Sequence, residues 1–586
     1  MATITIDPLN RIEGHLKVIV TEAGGVVTDA QCTGTLFRGI ENILNRRDPR
    51  DAPQICQRIC GVCPTTHSKA SVENLDTALG ITTDPGTHDA NGDIAGYSTT
   101  VPANGRIIRN IIQGCDTVMS HITHLYHLSA LDFINTSAFP GMAPFLPSYT
   151  ASDMIDGASP LGSTLVVHYV QALAMRRKMH TAGALFSGRQ PIGNAMVPGG
   201  VTTLFSSTMP ASPQVGTDYD LFGPYNASDT VSKFSSLLME VRNFINQVYL
   251  PDVITVANAY PAYWSQGIGC GRLLSYGDFL QNSTGSLFFK RGVVTGLTPG
   301  TFNQADIREY VDYSYYNYGI LDPAGLHPWD GKTTPNMNQA PKTTGYSWLK
   351  SPRLLSSTGV PLVCEVGPLA RMVLTHLSGT QVSVSDADTA TGGIRVGGAY
   401  TASNLVTIAL GAVSQPATAL YSALGRHAAR ALEAKYLADA MAGPGGWISQ
   451  LTPDAPCYTY KRIPKQISQG VGLVEGPRGA LGHWIKIEGR KIAKYQCVVP
   501  TTWNASPAHA ATTSGSIANR GPAEAALVGS TIGTDDTSRV INILRILHPF
   551  DFCIACAVHV VNPEGKELVK FTIGTDGRPS NVSIAE

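Results

Sequence analysis

Two C-x-x-C pairs, one near each end of the chain, carry the most visible chemistry in the sequence. Arg58-Ile-Cys-Gly-Val-Cys63 holds Cys60 and Cys63 and is followed by His67. Asp551-Phe-Cys-Ile-Ala-Cys-Ala-Val-His559 holds Cys553 and Cys556 and ends in a histidine. Each pair sets two sulfurs close enough to share one ion, so a fold that joins the chain ends would converge four thiolates. Four such cysteines most commonly hold a tetrahedral structural zinc. Zinc pairs usually sit within one small module, whereas nearly the whole chain separates these, which counts against a zinc ribbon. Four soft thiolates equally suit nickel or iron, or the corners of an iron–sulfur cluster. A thioredoxin-like redox pair needs a strand-to-helix junction in a βαβ unit, and neither pair sits on one. On residue chemistry alone, structural zinc and a redox metal site stand level, ahead of two unrelated pairs.

Other titratable groups have plainer readings. Glu13, in Asp7-Pro-Leu-Asn-Arg-Ile-Glu-Gly-His15, reads as a solvated charge in a loop at a strand end. Glu41 opens a short helix, where the macrodipole favours an acid. His121, His124 and His127 share one helical stretch but drift around it, so they read as core or surface histidines rather than ligands.

These groups must be positioned by the elements between them. Ile4, Ile6, Leu16, Val18 and Val20 alternate over residues 3–35, with Gly24-Gly25 as a turn, and predict strands. The first cysteine pair leads into a helix carrying His67. Apolar residues recurring at three and four predict a helix over 104–133. Helical patterns return at 161–187, 229–249 and 402–440, the last broken by Pro416. The expected fold is mainly α with smaller β regions, an α+β protein with a central bundle of long helices. Its N- and C-terminal segments would meet at a buried metal site. Residues 250–400 read as loops and small strands, and 505–540 as an exposed Ala/Gly/Ser/Thr-rich excursion. Gly472–Gly479, His483 onward and Tyr495–Asn504 read as strands, and Ile541–Leu547 as a short helix. Leu568–Ile573 followed by Gly574–Gly577 reads as a small hairpin. There is no internal repeat.

Composition excludes several classes. Charged residues make up 15% of the chain, against about 25% in average proteins. A large buried core, or a surface covered by a partner, would account for the deficit. The formal net charge of zero removes the electrostatic case for nucleic acid. No apolar run approaches the ~20 residues that cross a bilayer, and the first residues do not form a signal peptide. The eleven cysteines are odd in number, which favours metal or catalytic use over a disulfide framework.

Further motifs break the tie between metals. Besides the two cysteine runs they are Arg11-Ile-Glu-Gly-His15, Phe37-Arg-Gly-Ile-Glu41, Tyr126-His-Leu-Ser-Ala-Leu-Asp132 and Glu365-Val-Gly-Pro-Leu-Ala-Arg371. Glu475-Gly-Pro-Arg-Gly479 with His483, and Val499-Pro-Thr-Thr-Trp-Asn504, complete the set. In this order, almost from end to end, the chain resembles the large, catalytic subunit of nickel–iron uptake hydrogenases. The resemblance implies one large domain over 1–559. It also implies a C-terminal propeptide over 560–586, removed by cleavage between His559 and Val560.

By the same resemblance, Cys60 and Cys553 are terminal ligands of nickel, and Cys63 and Cys556 bridge nickel to iron. The iron carries carbon monoxide and cyanide. The reaction is heterolysis of H2 into protons and electrons, which needs an electrophilic metal and a base within reach. The Cys553 thiolate is the first choice of base. Arg478 is a weaker one, because its pKa lies above 12, and it would instead position H2 or polarise the site. Glu13 becomes a proton relay. Pro477 and Asp551 support the site, and His67 hydrogen-bonds a bridging sulfur. Glu41, His559 and a backbone carbonyl near Cys497 hold a second metal, magnesium or iron.

The implied partners are an iron–sulfur small subunit, a maturation protease and nickel-insertion chaperones. A membrane cytochrome b or quinone-linked acceptor would take the electrons. The implied location is the periplasmic side of the cytoplasmic membrane, reached by export with the small subunit; a cytoplasmic, membrane-associated enzyme is the alternative. An H2-sensing regulatory subunit and a structural zinc protein are the alternative functions. The chain departs from the family pattern at Phe552, where proline is usual, at Ser120, where aspartate is common, and at Ile192, where histidine is common.

Overall fold

Alternation in the first strands produces a half-buried sheet. Ala2–Ile6, Leu16–Ala23 and Val26–Gly34 pair antiparallel in sequence order. Leu16, Val18 and Val20 point into the core and their neighbours outward. The computed structural model describes residues 1–135, 151–208, 226–317, 324–336, 345–386, 396–442, 445–509, 520–557, 569–573 and 579–584. His559 and Val560 lie outside these residues, as does the turn 574–577 of the expected C-terminal hairpin. The two strands of that hairpin, Val569–Ile573 and Pro579–Ile584, pair antiparallel.

The long helices form the middle of the molecule. Ala103–Thr123 buries Ile107, Ile108, Ile111, Ile112, Val118 and Ile122. It runs on as a π-helical turn, His124–Ser129, and a 3-10 turn, Ala130–Asp132. It packs on Pro160–Ser187 and Ala423–Met441, and Pro160–Ser187 packs in turn on Ala227–Phe244. Pro160–Ser187 starts where the Ser159 side chain accepts the Gly162 N–H, with Pro160 in the first turn. It stops at Gly188, whose φ of 75° is left-handed. The pattern over 402–440 is two helices, Ala402–Ala412 and Ala423–Met441. Pro416, which lacks an N–H, stands in the break, and Ser422 caps the second helix.

Three expectations need correction. Residues 250–400 contain two helices, Leu250–Ala259 and Pro368–Leu377, each with proline in its first turn. Proline at that position reads locally as a loop but costs a helix nothing, because the first N–H groups are unpaired anyway. Of the stretch 505–540, residues 510–519 lie outside the described residues. Pro522–Leu527, however, is a buried helix, with Ala523 and Glu524 fully enclosed. Its small residues allow close packing rather than solvent exposure. Pro500–Asn504 is a short helix, not the end of a strand.

A second antiparallel sheet, Ser468–Gly476, Gly479–Glu488 and Lys491–Val498, carries the helix Pro64–Ala78 across its face. The contact requires glycine. A Cβ on Gly472 would lie 2.2 Å from the Ala70 carbonyl oxygen. This close packing seats His67 and the first cysteine pair against the strands that lead to Arg478.

Candidate metal centre

The chain ends are joined backbone to backbone. Glu13 N–H donates to the Phe552 carbonyl at 3.3 Å, and Ile554 N–H donates to the Glu13 carbonyl at 2.7 Å. Gly14, with φ 83°, sits so close that a Cβ there would lie 2.9 Å from the Ala555 nitrogen. Arg38 ties the two cysteine loops together. Its guanidinium donates to the carbonyls of Ile59 at 2.5 Å, Arg58 at 2.7 Å and Ala555 at 3.4 Å. The 3-10 turn His548–Phe550 ends at Asp551, which takes a left-handed φ of 58°. Aspartate tolerates that conformation better than most residues. Cys553 N–H then donates to the Thr501 hydroxyl at 2.9 Å.

The four cysteine sulfurs converge within 4.8 Å of one another. Cys60 and Cys553 Sγ are 3.2 Å apart, Cys63 and Cys556 3.2 Å, and Cys553 and Cys556 2.9 Å. All four are buried. Four like charges cannot share so small a volume without a cation. In the protein alone, hydrogen bonds from the neighbouring thiols hold Cys60 well below its ordinary pKa, while burial pushes Cys553 and Cys556 well above theirs. A bound metal would ionise all four. The donors are soft and enclosed, which suits nickel and iron.

A cavity beside the sulfurs is lined by Cys63, Thr66, His67, Pro477, Arg478, Cys553 and Cys556. Arg478 is buried, with Nη2 3.0 Å from Asp551 Oδ1. Its Nε and Nη1 have no hydrogen-bond partner among the described residues. The Arg478 turn is held from behind by Arg371, which donates to the carbonyls of Gly476 at 2.8 Å and Pro477 at 3.1 Å. Arg371 is itself fixed by Glu475 at 2.7 Å and Glu433 at 2.6 Å.

His121 Nε2 meets that same Glu433 at 2.9 Å. His124 bonds the His548 carbonyl at 2.8 Å, and His127 the Tyr169 carbonyl at 3.1 Å. These three histidines are structural, as their drift around the helix predicts.

Glu13 is half-buried rather than a free loop charge. Its Oε2 accepts the Ala555 N–H at 2.9 Å and lies 3.2 Å from Cys553 Sγ. Burial, with the Cys60 charge adding, raises its pKa above the ordinary carboxylate value. His67 Nδ1 lies 3.3 Å from His483 Nε2. Glu41 is buried, accepts the Cys497 N–H at 2.8 Å, and also accepts the Thr333 hydroxyl. Lys350 Nζ stands 3.9 Å from Glu41, 3.2 Å from Glu309 and 3.1 Å from the Gln496 amide oxygen. Burial pushes the Glu309 carboxyl up to about 7. Among the departures, Ser120 is buried in its helix and Ile192 is half-buried. Arg38 and Thr501 both fall inside quoted motifs, but nothing local in the sequence marked them as the residues that hold the cysteine loops.

A single fold that closes on four buried thiolates, with a carboxylate against one sulfur and a guanidinium over the cavity, defines a thiolate-bound metalloenzyme. Comparison with known proteins sharpens this. The family described as nickel-dependent hydrogenase matches residues 38–141 and 138–559, and a HoxL-like family matches residues 3–33. The periplasmic [NiFeSe] hydrogenase large subunit of Desulfomicrobium baculatum is 34% identical, covering 97% of this chain and 96% of the relative. The uptake hydrogenase large subunit of Bradyrhizobium diazoefficiens is 33% identical, covering 97% of each. The crystal structure of the reduced, active Ni-Fe-Se hydrogenase from Desulfomicrobium baculatum superposes with a TM-score of 0.76 at 34% identity, over 95% of this chain and 100% of that one. The chain belongs to the nickel-dependent hydrogenase family and is a hydrogenase large subunit, an oxidoreductase acting on H2. Family membership decides the metal question for nickel over structural zinc.

Proposed function

We propose that this subunit oxidises H2 to protons and electrons in the uptake direction and passes the electrons to an iron–sulfur small subunit and a respiratory acceptor. The observation that carries the reading is Glu13 against Cys553 at the four-sulfur cluster, 3.2 Å apart. Cys60, Cys63, Cys553 and Cys556 would hold a nickel–iron centre whose iron carries carbon monoxide and cyanide. When bound, that centre supplies the electrophilic position at which H2 is polarised and the acceptor for its two electrons.

The protein supplies the path for the proton. The Cys553 thiolate accepts it, and Glu13 Oε2 takes it onward. The raised pKa of Glu13 brings it closer to the operating pH, which favours transfer in both directions. Arg478 stays charged and presents two unpaired N–H edges, which position the substrate and lower the local potential of negative charge. Glu41 and the backbone carbonyl near Cys497 would offer hard oxygen donors that fit magnesium, and His559 would complete that second site.

Residues 560–586 are read as a propeptide cut from the nickel-loaded precursor by a maturation protease, after chaperones have inserted the metal. The name of one relative, a periplasmic enzyme, supports a periplasmic location reached with the small subunit. No helix among the described residues is long and apolar enough to cross a membrane, so attachment would come through a partner such as a cytochrome b.

The test is one purified sample. Elemental analysis should give nickel and iron in equal amounts, infrared spectra should show carbon monoxide and cyanide bands, and the active chain should end at His559. Zinc without nickel would overturn the metal assignment. A nickel-loaded active chain running to Glu586 would overturn the propeptide. Nickel loading with negligible turnover would favour an H2 sensor.

A further inference from the structure

One face of the helix Ala103–Thr123 runs along the turn that carries Arg478. Gln113, Asp116, Ser120 and His124 follow one another at steps of three and four, and so share that face. Both ends of the row are pinned. Gln113 Nε2 donates to the Glu475 carbonyl, three residues before Arg478, and to Asp278 Oδ2 at 2.8 Å. His124 Nε2 bonds the His548 carbonyl at 2.8 Å, three residues before Asp551. Between these anchors the helix presents Asp116 and Ser120 to the Arg478–Asp551 pair. We infer that Asp116 is a positioning residue for Arg478: its carboxylate is the second acidic partner of the buried guanidinium, reached through a water that Thr66 also holds. The inference rests on the metal-centre reading above.

The assignment comes from matching buried groups that lack partners. Asp116 is 1% exposed, and neither of its carboxylate oxygens has a hydrogen-bond partner among the described residues. The Thr65 hydroxyl beside it gives its hydrogen to Gln190 Oε1 at 3.3 Å. Arg478 turns Nη2 to Asp551 and leaves Nε and Nη1 unpaired among the described residues. Thr66 also keeps an unpaired hydroxyl, and it lines the metal cavity together with Arg478. A Cβ on Gly476 would lie 2.9 Å from Thr66 Cγ2, so Thr66 is seated against the strand end that leads to Arg478.

A buried donor or acceptor left unmet costs more than a made hydrogen bond contributes, and native proteins meet such groups with protein atoms or ordered water. A buried water takes about three partners. Asp116 supplies an acceptor, Thr66 a hydroxyl and Arg478 a donor. Burial works against the Asp116 charge, and Arg478 is the cation that favours it. The guanidinium is thus held between two carboxylates, Asp551 on Nη2 and Asp116 on the free edge. That keeps it over the cavity instead of folding onto Asp551 alone.

Crystal structures and H2 oxidation rates of the large–small subunit complex test this together. The parent should show a water within hydrogen-bond distance of Asp116, Thr66 and Arg478, and an Asp116 carboxylate with no bonded path to Arg478 would overturn the inference. In Asp116→Asn the guanidinium should turn toward Asp551, and turnover should fall about 10–100-fold, the usual cost of losing a group behind a metal site. Adding Ser120→Asp returns a carboxylate to the same face one turn on, at a position where the family commonly carries one. The double variant should regain most of the turnover and hold Arg478 in its parental place. Parental turnover or an unmoved Arg478 in Asp116→Asn would show that Asp551 suffices. A loss that Ser120→Asp does not restore would mean that Asp116 acts by packing, and either result overturns the inference. Nickel content is measured first. A parent complex without nickel overturns the proposed function, while the crystal structures still decide what holds Arg478.

Discussion

Glu13 Oε2 lies 3.2 Å from Cys553 Sγ although 540 positions separate the two residues in sequence. The contact is made by the backbone pairing of the two segments, so it does not depend on a flexible side chain finding its partner. If Glu13 relays the proton, Glu13→Gln should keep nickel and fold normally but lose turnover by about 10²–10⁴-fold, the range for a positioned acid–base group. Dye-coupled H2 oxidation and H2/D2O exchange should fall together, because both need the proton to leave. Parental exchange in a nickel-loaded variant would remove Glu13 from the path.

Arg38 makes three hydrogen bonds to the two cysteine loops, reaching the carbonyls of Arg58, Ile59 and Ala555. Hydrogen bonds to a charged group contribute roughly 1.5–3 kcal/mol each, though Arg38 is partly exposed and the contributions do not add in full. Arg38→Ala should therefore leave the helical core intact while loosening the site. The expected result is reduced nickel per chain and faster metal loss to a chelator, with an unchanged far-ultraviolet spectrum. Arg38→Lys, with a single head group in place of the fork, should fall between. Equal nickel retention in all three proteins would show that backbone pairing at Glu13 suffices.

Glu524 tests the buried-acid ledger away from the metal. It is fully enclosed, accepting the Cys32 N–H at 2.9 Å and the Tyr346 hydroxyl at 2.9 Å. Burial pushes its carboxyl up to about 7 from 4.5. The folded state thus holds this proton more tightly than the unfolded state. The stability it contributes is fully present below about 4.5 and is lost as pH rises toward about 7, at about 1.4 kcal/mol per unit. Glu524→Gln cannot ionise. Its denaturation midpoint, compared with that of the parent, should improve steadily between pH 4.5 and 7 and level off above. A constant difference across that range would mean the carboxylate is already charged in the folded protein.

What could be read from the sequence was local. The cysteine pairs, the His67 helix and the long helices each announce themselves within a few turns. The three-residue step between cysteines and the apolar repeat are short-range patterns. What could not be read depends on contacts across the fold. Glu13 looked like a solvated loop charge because its partners, Ala555 and Cys553, stand at the other end of the chain. The helix Pro522–Leu527 looked exposed because alanine-rich text is polar-looking and weakly apolar, yet small side chains let it pack against the strand Val26–Gly34. Two further helices, Leu250–Ala259 and Pro368–Leu377, were masked by first-turn prolines.

Phe552 shows how a departure from family pattern can be a packing solution. No local rule explains a phenylalanine between Asp551 and Cys553. In the fold its side chain is fully buried, with its ring parallel to that of Phe550 at 5.7 Å between centroids. The Arg426 guanidinium lies 4.1 Å from the Phe550 ring and is itself paired with Glu365 at 2.7 Å. The residue thus anchors the turn that presents Cys553, and its carbonyl accepts the Glu13 N–H. Truncating a buried phenylalanine costs about 3–5 kcal/mol. Phe552→Ala should lower the thermal midpoint of the complex and speed nickel loss, because the cavity opens directly behind a ligand. Phe552→Leu, which refills most of the volume, should recover much of both. If Phe552→Ala melts like the parent, the stacked pair is dispensable and Thr501 with Glu13 must hold the Cys553 turn without it.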